Sequence, residues 1–285
     1  MTTVTADART PGPAPLMVPR SPAAAARTAF VALLVRDIVV LRKTLREFIP
    51  RTILQPLLLV FVFTYVFPKI GQGIGGKGAG AGEFSTLLVA GVVSLSILFQ
   101  GIQSVALPMV QEFGYTREIE DRVLAPMPVW LVAMEKVAAG MFNGLFAALI
   151  VFPIAAIVPA TPVHLDVNWP VLLTLTPLAC FVASALGLTF GTRFNPRTVP
   201  LLFGIIVIPL TFLGCVYYSW QALEPIRWLK IGVLLNPLVY MSEGFRAALT
   251  AAPHMSLVAV YLVLIGFGAL FTWMGINGFK KRVLS

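Results

Sequence analysis

Three residues of one loop have the spacing of a phosphate-binding site. Gly71, Gly76 and Lys77 fit the pattern G-x-x-x-x-G-K, in which backbone amides and the lysine hold nucleotide phosphates. Gly78 stands where the motif needs a serine or threonine for magnesium, and an apolar segment precedes the loop where a buried strand is required. We therefore interpret these residues as a flexible glycine-rich loop, and we predict no catalytic residue, no metal ligand and no cofactor bound by this chain.

A charged stretch at residues 111–128 is the second candidate. Acidic and basic residues alternate in it, which predicts a short charged helix that ends before Pro126. Held between two membrane helices, such a helix can transmit a movement from a cytosolic partner; the alternative is a solvated turn whose charges keep it out of the lipid. The residues predicted to couple this chain to a partner are Glu112, Gly114, Arg117, Glu118, Glu120, Asp121 and Arg122.

Ionisable residues are rare where the chain is most apolar. Apart from Arg51, the central stretches of the apolar segments contain no Asp, Glu, Lys, Arg or His. Ion-coupled transporters use such groups as relays or counter-ions, so their absence disfavours secondary transport. Polar residues do occur, and they either line a substrate path or form hydrogen bonds between helices. They include Gln100, Gln103 and Asn143.

The elements that position these residues are predicted to be transmembrane helices. Of the 285 residues, 58% are hydrophobic and only 12% are charged, whereas roughly a quarter of the residues of a soluble domain are charged. Cys180 and Cys215 lie in apolar segments and are interpreted as packing residues. Six segments are long enough to cross a bilayer, at residues 48–67, 85–110, 130–158, 171–190, 199–218 and 255–279.

The positive residues set the predicted orientation. With the N-terminus inside, only Lys69, Lys77, Arg227, Lys230 and Arg246 of the 21 Lys and Arg residues fall outside. The positive-inside tendency therefore predicts a multi-pass protein of the cell membrane with both termini in the cytoplasm. The net charge of +9 then reflects topology in the bilayer, and no nucleic acid partner is predicted.

The N-terminal part is predicted to contain two regions before the six-helix domain at residues 48–285. Residues 1–26 are rich in Ala, Pro, Thr and Arg, which predicts a disordered cytoplasmic tail and not a cleaved signal peptide. Residues 27–47 are predicted to be an interfacial amphipathic helix on the inner leaflet, the alternative being a cytoplasmic extension of the first span. Their apolar residues recur at steps of three or four, at Phe30, Leu34, Ile38, Leu41 and Leu45.

Between the fifth and sixth spans, residues 220–254 are partly apolar but broken by prolines, which predicts re-entrant or interfacial half-helices. Asn236 can cap a helix that begins at Pro237, and Glu243 and Arg246 lie one turn apart within it. The alternative is a surface helix with a weak ion pair.

Three stretches together resemble permeases of the type-2 ATP-binding-cassette exporter superfamily, especially daunorubicin-resistance-type drug or lipid exporters. They are residues 53–59, with the sequence ILQPLLL, residues 111–137 with the charged loop, and residues 235–247 with LNPLVY followed by EGFRA. The resemblance covers residues 27–285. It implies an all-helical permease subunit that moves an amphipathic, lipid-linked or drug-like substrate out of the cytoplasm.

The resemblance also implies partners and site roles. A separate cytosolic ATPase would bind ATP and magnesium, and two permease subunits, identical or paralogous, would form the working unit. The loop at residues 112–122 would be the coupling helix, seated in a groove of the ATPase, and residues 27–47 would lie on the inner membrane face. The outer re-entrant hairpin that closes the path between two permeases would contain Asn236, Pro237, Tyr240, Glu243 and Arg246.

Two other classes stay open on sequence alone. A channel or an energy-independent flippase would need no ATPase, and a membrane scaffold would move no substrate. Ion channels usually line their path with charged rings or carbonyl filters, and neither is visible in the sequence. A neighbouring coding sequence with a phosphate-binding loop would distinguish the exporter from both alternatives.

Overall fold

The computed structural model describes residues 21–70, 79–116, 118–159, 165–194, 198, 201 and 203–283. Within these ranges the chain forms helices, turns and connecting loops, with no strand. The glycine-rich loop that contains Gly71, Gly76 and Lys77 lies outside the described residues, and so does Arg117. The main helices are α1 Pro22–Lys43, α2 Leu45–Phe61, α3 Ala79–Gln111, α4 Glu118–Val123, α5 Val129–Ile157, α6 Trp169–Arg193, α7 Ile208–Phe212, α8 Arg227–Gly232, α9 Pro237–Leu249 and α10 Leu257–Val283.

Five helical segments of the described residues are long and apolar enough to cross a membrane. They correspond to the first, second, third, fourth and sixth predicted spans, so the prediction of an all-helical membrane protein is confirmed. A π-helical turn extends α2 at Val62–Val66 and another extends α3 at Glu112–Thr116. The five segments are Leu45–Val66, Phe84–Gly114, Val129–Ile154, Trp169–Arg193 and Leu257–Val283.

The fifth predicted span, residues 199–218, is described only in part. A π-helical turn at Phe203–Val207 leads into α7, which ends at Phe212 although the prediction continues to residue 218. The chain then turns, and Cys215 has a φ of 53°, in the left-handed region that residues other than glycine seldom adopt. The count of six spans therefore stays a prediction.

The N-terminal helix α1 begins within the segment predicted to be a disordered tail. Ser21 caps it by accepting a hydrogen bond from the Ala24 amide at 3.4 Å, and Pro22 occupies its first turn. Residues 1–20 lie outside the described part of the chain. All members of the predicted apolar stripe are half-buried or buried, whereas Val31 and Val35 on the other side are exposed. The stripe thus faces the protein, and the position of α1 on the membrane surface stays a prediction.

Helix α3 lies at the centre of the bundle and packs against α2, α5, α6 and α9. Its contact with α6 is close because small residues face each other. A Cβ atom placed on Gly187 would lie 2.8 Å from the carbonyl oxygen of Ile102, and one on Gly101 would lie 2.5 Å from the Cβ atom of Ala183. Such close backbone approach is typical of helix pairs in membranes. Helix α10 packs on the other side of α6.

Candidate functional sites

Charged side chains from four helical segments meet near the ends of the spans that are predicted to face the cytoplasm. They belong to α1, the π-helical turn after α3, α4 and α5. Lys136 Nζ lies 2.8 Å from Glu112 Oε1 and 3.2 Å from Asp37 Oδ2. Arg122 Nη2 lies 2.8 Å from the same oxygen of Glu112, and Arg122 Nη1 lies 3.9 Å from Glu135 Oε2. We call these five residues the inner ionic cluster.

Four of the five residues of the inner ionic cluster are almost closed to solvent, whereas the side chain of Asp37 is 20% exposed. Glu135 is 0% exposed, Lys136 4%, and Glu112 and Arg122 6% each. Charges buried in this way are costly unless they are paired, and removal of one partner from a buried pair typically costs about 3–5 kcal/mol. The cluster therefore joins α1, both ends of the charged loop and α5 into one unit.

The charged loop is also held by apolar contacts. Ile119 of α4 and Met127 after it are buried in a small hydrophobic cluster with Val132 of α5. The ring of Phe113 makes an edge-to-face contact with Phe279 of α10, with 5.6 Å between centroids. The predicted short helix that ends before Pro126 is present as α4. These contacts fix the loop to the protein, and its coupling role stays a prediction.

The structure distributes the predicted coupling residues between two environments. Glu112 and Arg122 are buried, and their side chains face the inner ionic cluster. Gly114 is exposed. Helix α4 contains Glu118, Glu120 and Asp121, whose side chains lie outside the described part of the molecule.

A second buried ion pair lies in α9, in the predicted outer segment. Glu243 and Arg246 form it, and both are 0% exposed. The alternative of a surface helix with a weak ion pair is therefore wrong. Arg246 Nη2 also donates to the carbonyl oxygens of Cys215 at 3.0 Å and Tyr218 at 3.3 Å. The guanidinium thus holds the turn that follows α7.

The carboxylate of Glu243 binds two more backbone segments. Its Oε1 accepts a hydrogen bond from the Trp220 amide at 2.8 Å, and its Oε2 accepts one from the Met255 amide at 2.9 Å. Trp220 begins a short 3₁₀ turn, and Met255 lies just before α10. One ion pair therefore connects the turn after α7, the 3₁₀ turn, α9 and the start of α10.

The predicted cap of α9 is confirmed. Asn236 Oδ1 accepts a hydrogen bond from the Leu238 amide at 2.9 Å, and Pro237 is the first residue of the helix. Asn236 Nδ2 donates to the carbonyl oxygen of Leu210 at 2.6 Å, and the Tyr240 hydroxyl donates to that of Leu234 at 3.1 Å. The start of α9 is thereby fixed to α7 and to the residues that precede it.

The three residues predicted to line a path do not come together. Thr52 Oγ1 of α2 donates to Gln100 Oε1 at 3.4 Å, and Arg51 Nη2 donates to Gln103 Oε1 at 2.5 Å. Asn143 lies on α5 and donates to a carbonyl oxygen of its own helix at 3.0 Å. Gln100 and Gln103 therefore face a crevice between α2 and α3 that Asn143 does not share.

Sequence reasoning missed three members of the inner ionic cluster. Glu135 was given no role, and Lys136 was counted only as a cytoplasmic charge. The available signal was an adjacent pair of opposite charges in the second turn of an otherwise apolar helix. Asp37 was also missed, and its contact with Lys136 joins residues 99 positions apart in the chain.

Comparison with known proteins agrees with the sequence resemblance. The sequence model of the ABC-2 type transporter family matches residues 28–250, a range that contains the inner ionic cluster and the ion pair of α9. The inner membrane transport permease YadH of Escherichia coli strain K12 is 29% identical over 221 residues, which cover 76% of this chain and 82% of that protein. YadH proteins of Escherichia coli O157:H7 and Shigella flexneri have the same identity and coverage.

Proposed function

The chain belongs to the ABC-2 type transporter family, and we propose that it is the membrane subunit of an ATP-driven exporter. Family membership makes it a membrane transport subunit and not an enzyme. Under the proposal, a cytosolic ATPase binds ATP and magnesium, and an amphipathic, lipid-linked or drug-like substrate leaves the cytoplasm. The observation that carries the proposal is the inner ionic cluster, because a loop that transmits force must be fixed to the helices it moves.

The proposed coupling element is the loop from Glu112 to Arg122, with α4 as the part that the ATPase contacts. Glu112 and Arg122 anchor its two ends in the inner ionic cluster. The residues between them, namely Gly114, Arg117, Glu118, Glu120 and Asp121, supply the docking surface. When ATP closes the ATPase pair, movement of this loop reaches α1 and α5 together, because Lys136 contacts both Glu112 and Asp37.

The proposed outer gate is the hairpin formed by residues 220–254, a re-entrant element between the fifth and sixth spans. Its α9 is buried from Pro237 to Leu249, which suits an element packed inside the membrane domain. Next to it, Trp228, Ile231 and Leu235 are 76%, 69% and 83% exposed. Apolar side chains exposed to this degree are suited to contact with lipid or with a second permease subunit. Under the proposal, the hairpins of two permease subunits together close the path.

The proposed topology places both termini, the charged loop and α1 on the cytoplasmic side. Cys180 and Cys215 are buried, so single cysteines introduced elsewhere can be labelled against a low background. A membrane-impermeant maleimide should label Lys77→Cys in intact cells, whereas Lys281→Cys should be labelled only after permeabilisation. Labelling of Lys281→Cys from outside would overturn the orientation.

Coupling is tested by charge reversal on α4. The double variant E120K/D121K is expected to insert normally, because both residues lie outside the five candidate spans. Docking of the ATPase should weaken, since like charges opposed across an interface cost affinity and slow association. Co-purification with the ATPase and transport in vesicles should both fall while the amount of protein in the membrane stays constant.

The control for charge reversal is Asp166→Lys, which makes the same kind of change at an exposed residue of the segment before α6, outside both the charged loop and the proposed outer gate. It should leave co-purification and transport within the range of the unmodified chain. If E120K/D121K also retains both, α4 does not dock the ATPase, and the coupling proposal fails.

A further inference from the structure

Arg51 carries a positive charge inside a candidate span. It lies in the second turn of α2, within Leu45–Val66, and its side chain donates one hydrogen bond, to Gln103. None of the ion pairs among the described residues includes Arg51. A guanidinium has five N–H donors, so most of them are left for another acceptor. An ionisable residue in a membrane span is costly and typically marks a ligand or ion site.

Arg51 lies at a crevice between α2 and α3, and six of the nine residues that line this crevice have a polar or charged side chain. Such a lining is unusual between two helices that are otherwise apolar, because polar side chains in a span are normally used within the protein or for a ligand. The polar lining residues are Arg51, Thr52 and Gln55 of α2 and Ser96, Gln100 and Gln103 of α3.

An exposed apolar stripe continues from Arg51 along the same side of α2. Leu54, Leu58 and Phe61 follow at three, seven and ten positions, and they are 59%, 52% and 41% exposed. From Arg51 to Phe61 the stripe extends about 15 Å, roughly half the thickness of the hydrocarbon layer. A cation followed by an apolar stripe of this length is complementary to a molecule with an acidic head group and an apolar tail.

We propose that the crevice between α2 and α3 binds the acidic head group of an amphipathic molecule. Arg51 recognises the phosphate or carboxylate, Gln103 orients the guanidinium, and Leu54, Leu58 and Phe61 contact the tail. The identification of the bound molecule with the exported substrate rests on the proposed function. Binding of the molecule in the crevice does not depend on that function. The fixed charge makes the chain selective for acidic over neutral amphiphiles.

The test uses the full chain in nanodiscs made of zwitterionic lipid, without an ATPase. The probes are a long-chain alkyl phosphate that carries a photoreactive diazirine in its tail and the alcohol with the same tail. Peptides with residues 51–61 or 95–103 should be labelled by the phosphate far more than by the alcohol. Arg51→Gln should reduce labelling by the phosphate about tenfold, the effect of losing one charge-assisted hydrogen bond, and leave labelling by the alcohol unchanged.

Two further variants separate the site from general effects of charge or folding. Arg51→Lys keeps the charge and should retain most of the labelling, which shows that the helix still packs. Arg46→Gln removes an exposed cation from the same helix and should change nothing. The proposal would be overturned if Arg51→Gln reduced labelling by the phosphate and labelling by the alcohol equally. It would also be overturned if Arg46→Gln reduced labelling by the phosphate as much as Arg51→Gln does. In a second set of nanodiscs that also contain the ATPase, specific labelling that ATP does not reduce would leave the binding site standing and overturn its link to export.

Discussion

Arg246→Ala is expected to unfold the outer hairpin. The substitution leaves the Glu243 carboxylate buried without its guanidinium and removes the donor to the carbonyl oxygens of Cys215 and Tyr218. Breaking a buried ion pair by removing one partner typically costs about 3–5 kcal/mol, a large part of the total stability of a protein. Denaturation in mild detergent should show a strongly lowered midpoint, and less protein should accumulate in the membrane.

Two variants show whether this loss comes from the unpaired charge. Arg227→Ala removes an exposed cation from neighbouring α8 and should change the free energy of unfolding by less than about 0.5 kcal/mol. The double variant E243Q/R246M removes both charges and keeps a side-chain amide oxygen at position 243 that can still accept a hydrogen bond from the backbone. It should recover much of the stability, because replacing a whole buried pair by uncharged groups of similar size is often tolerated. An Arg246→Ala protein as stable as Arg227→Ala would show that the pair does not hold the hairpin.

The long spans could be predicted because their signal is local. A run of about 20 apolar residues is enough to identify a crossing helix, and the five described spans begin and end close to the predicted positions. The cap of α9 could be predicted for the same reason, since Asn236 and Pro237 are adjacent and act on the first turn. Glu243 and Arg246 were also recognised from their spacing, although spacing carries no information on burial.

The end of α7 could not be predicted from hydropathy. Residues 213–218 contain no charged residue and were included in the predicted span, yet the helix stops at Phe212. The Ser242 hydroxyl donates to the carbonyl oxygen of Gly214, and Arg246 donates to that of Cys215. These acceptors would otherwise bond within a continuing helix. The turn is therefore set by side chains about 30 positions later in the chain, which a sliding window does not see.

The inner ionic cluster was missed for a related reason. Its members come from four helical segments, and each looks alone like a charge at the membrane surface. Positive charges at the inner membrane face are normally interpreted as indicators of membrane topology. Lys136 was therefore counted among the cytoplasmic charges, and no partner was assigned to it. Only the packing of α1 and α4 against α5 turns these surface charges into buried ones.

Lys136→Met is expected to weaken the connection of the charged loop to α1 and α5, leaving the longer contacts of Arg122 with Asp37 at 3.8 Å and with Glu135 at 3.9 Å. The lysine is 4% exposed and contacts both Asp37 and Glu112, so its loss leaves Glu112 and Glu135 buried with Arg122 as their remaining cation in the cluster. A destabilisation of about 3–5 kcal/mol is expected. In the assembled transporter, ATP hydrolysis should continue while transport per ATP falls, because movement of the loop then reaches α1 less completely, through the longer contact of Arg122 with Asp37.

The companion variants distinguish a coupling role from stability alone. Lys136→Arg keeps the charge and should retain coupling, and Lys43→Met removes an exposed lysine of α1 and should behave like the unmodified chain. Glu135→Gln should partly rescue Lys136→Met, since it removes one of the unbalanced carboxylates; the double-mutant cycle then gives the interaction between the two residues. If Lys136→Met retains both the thermal stability and the transport per ATP of the unmodified protein, the cluster neither fixes the loop nor transmits its movement.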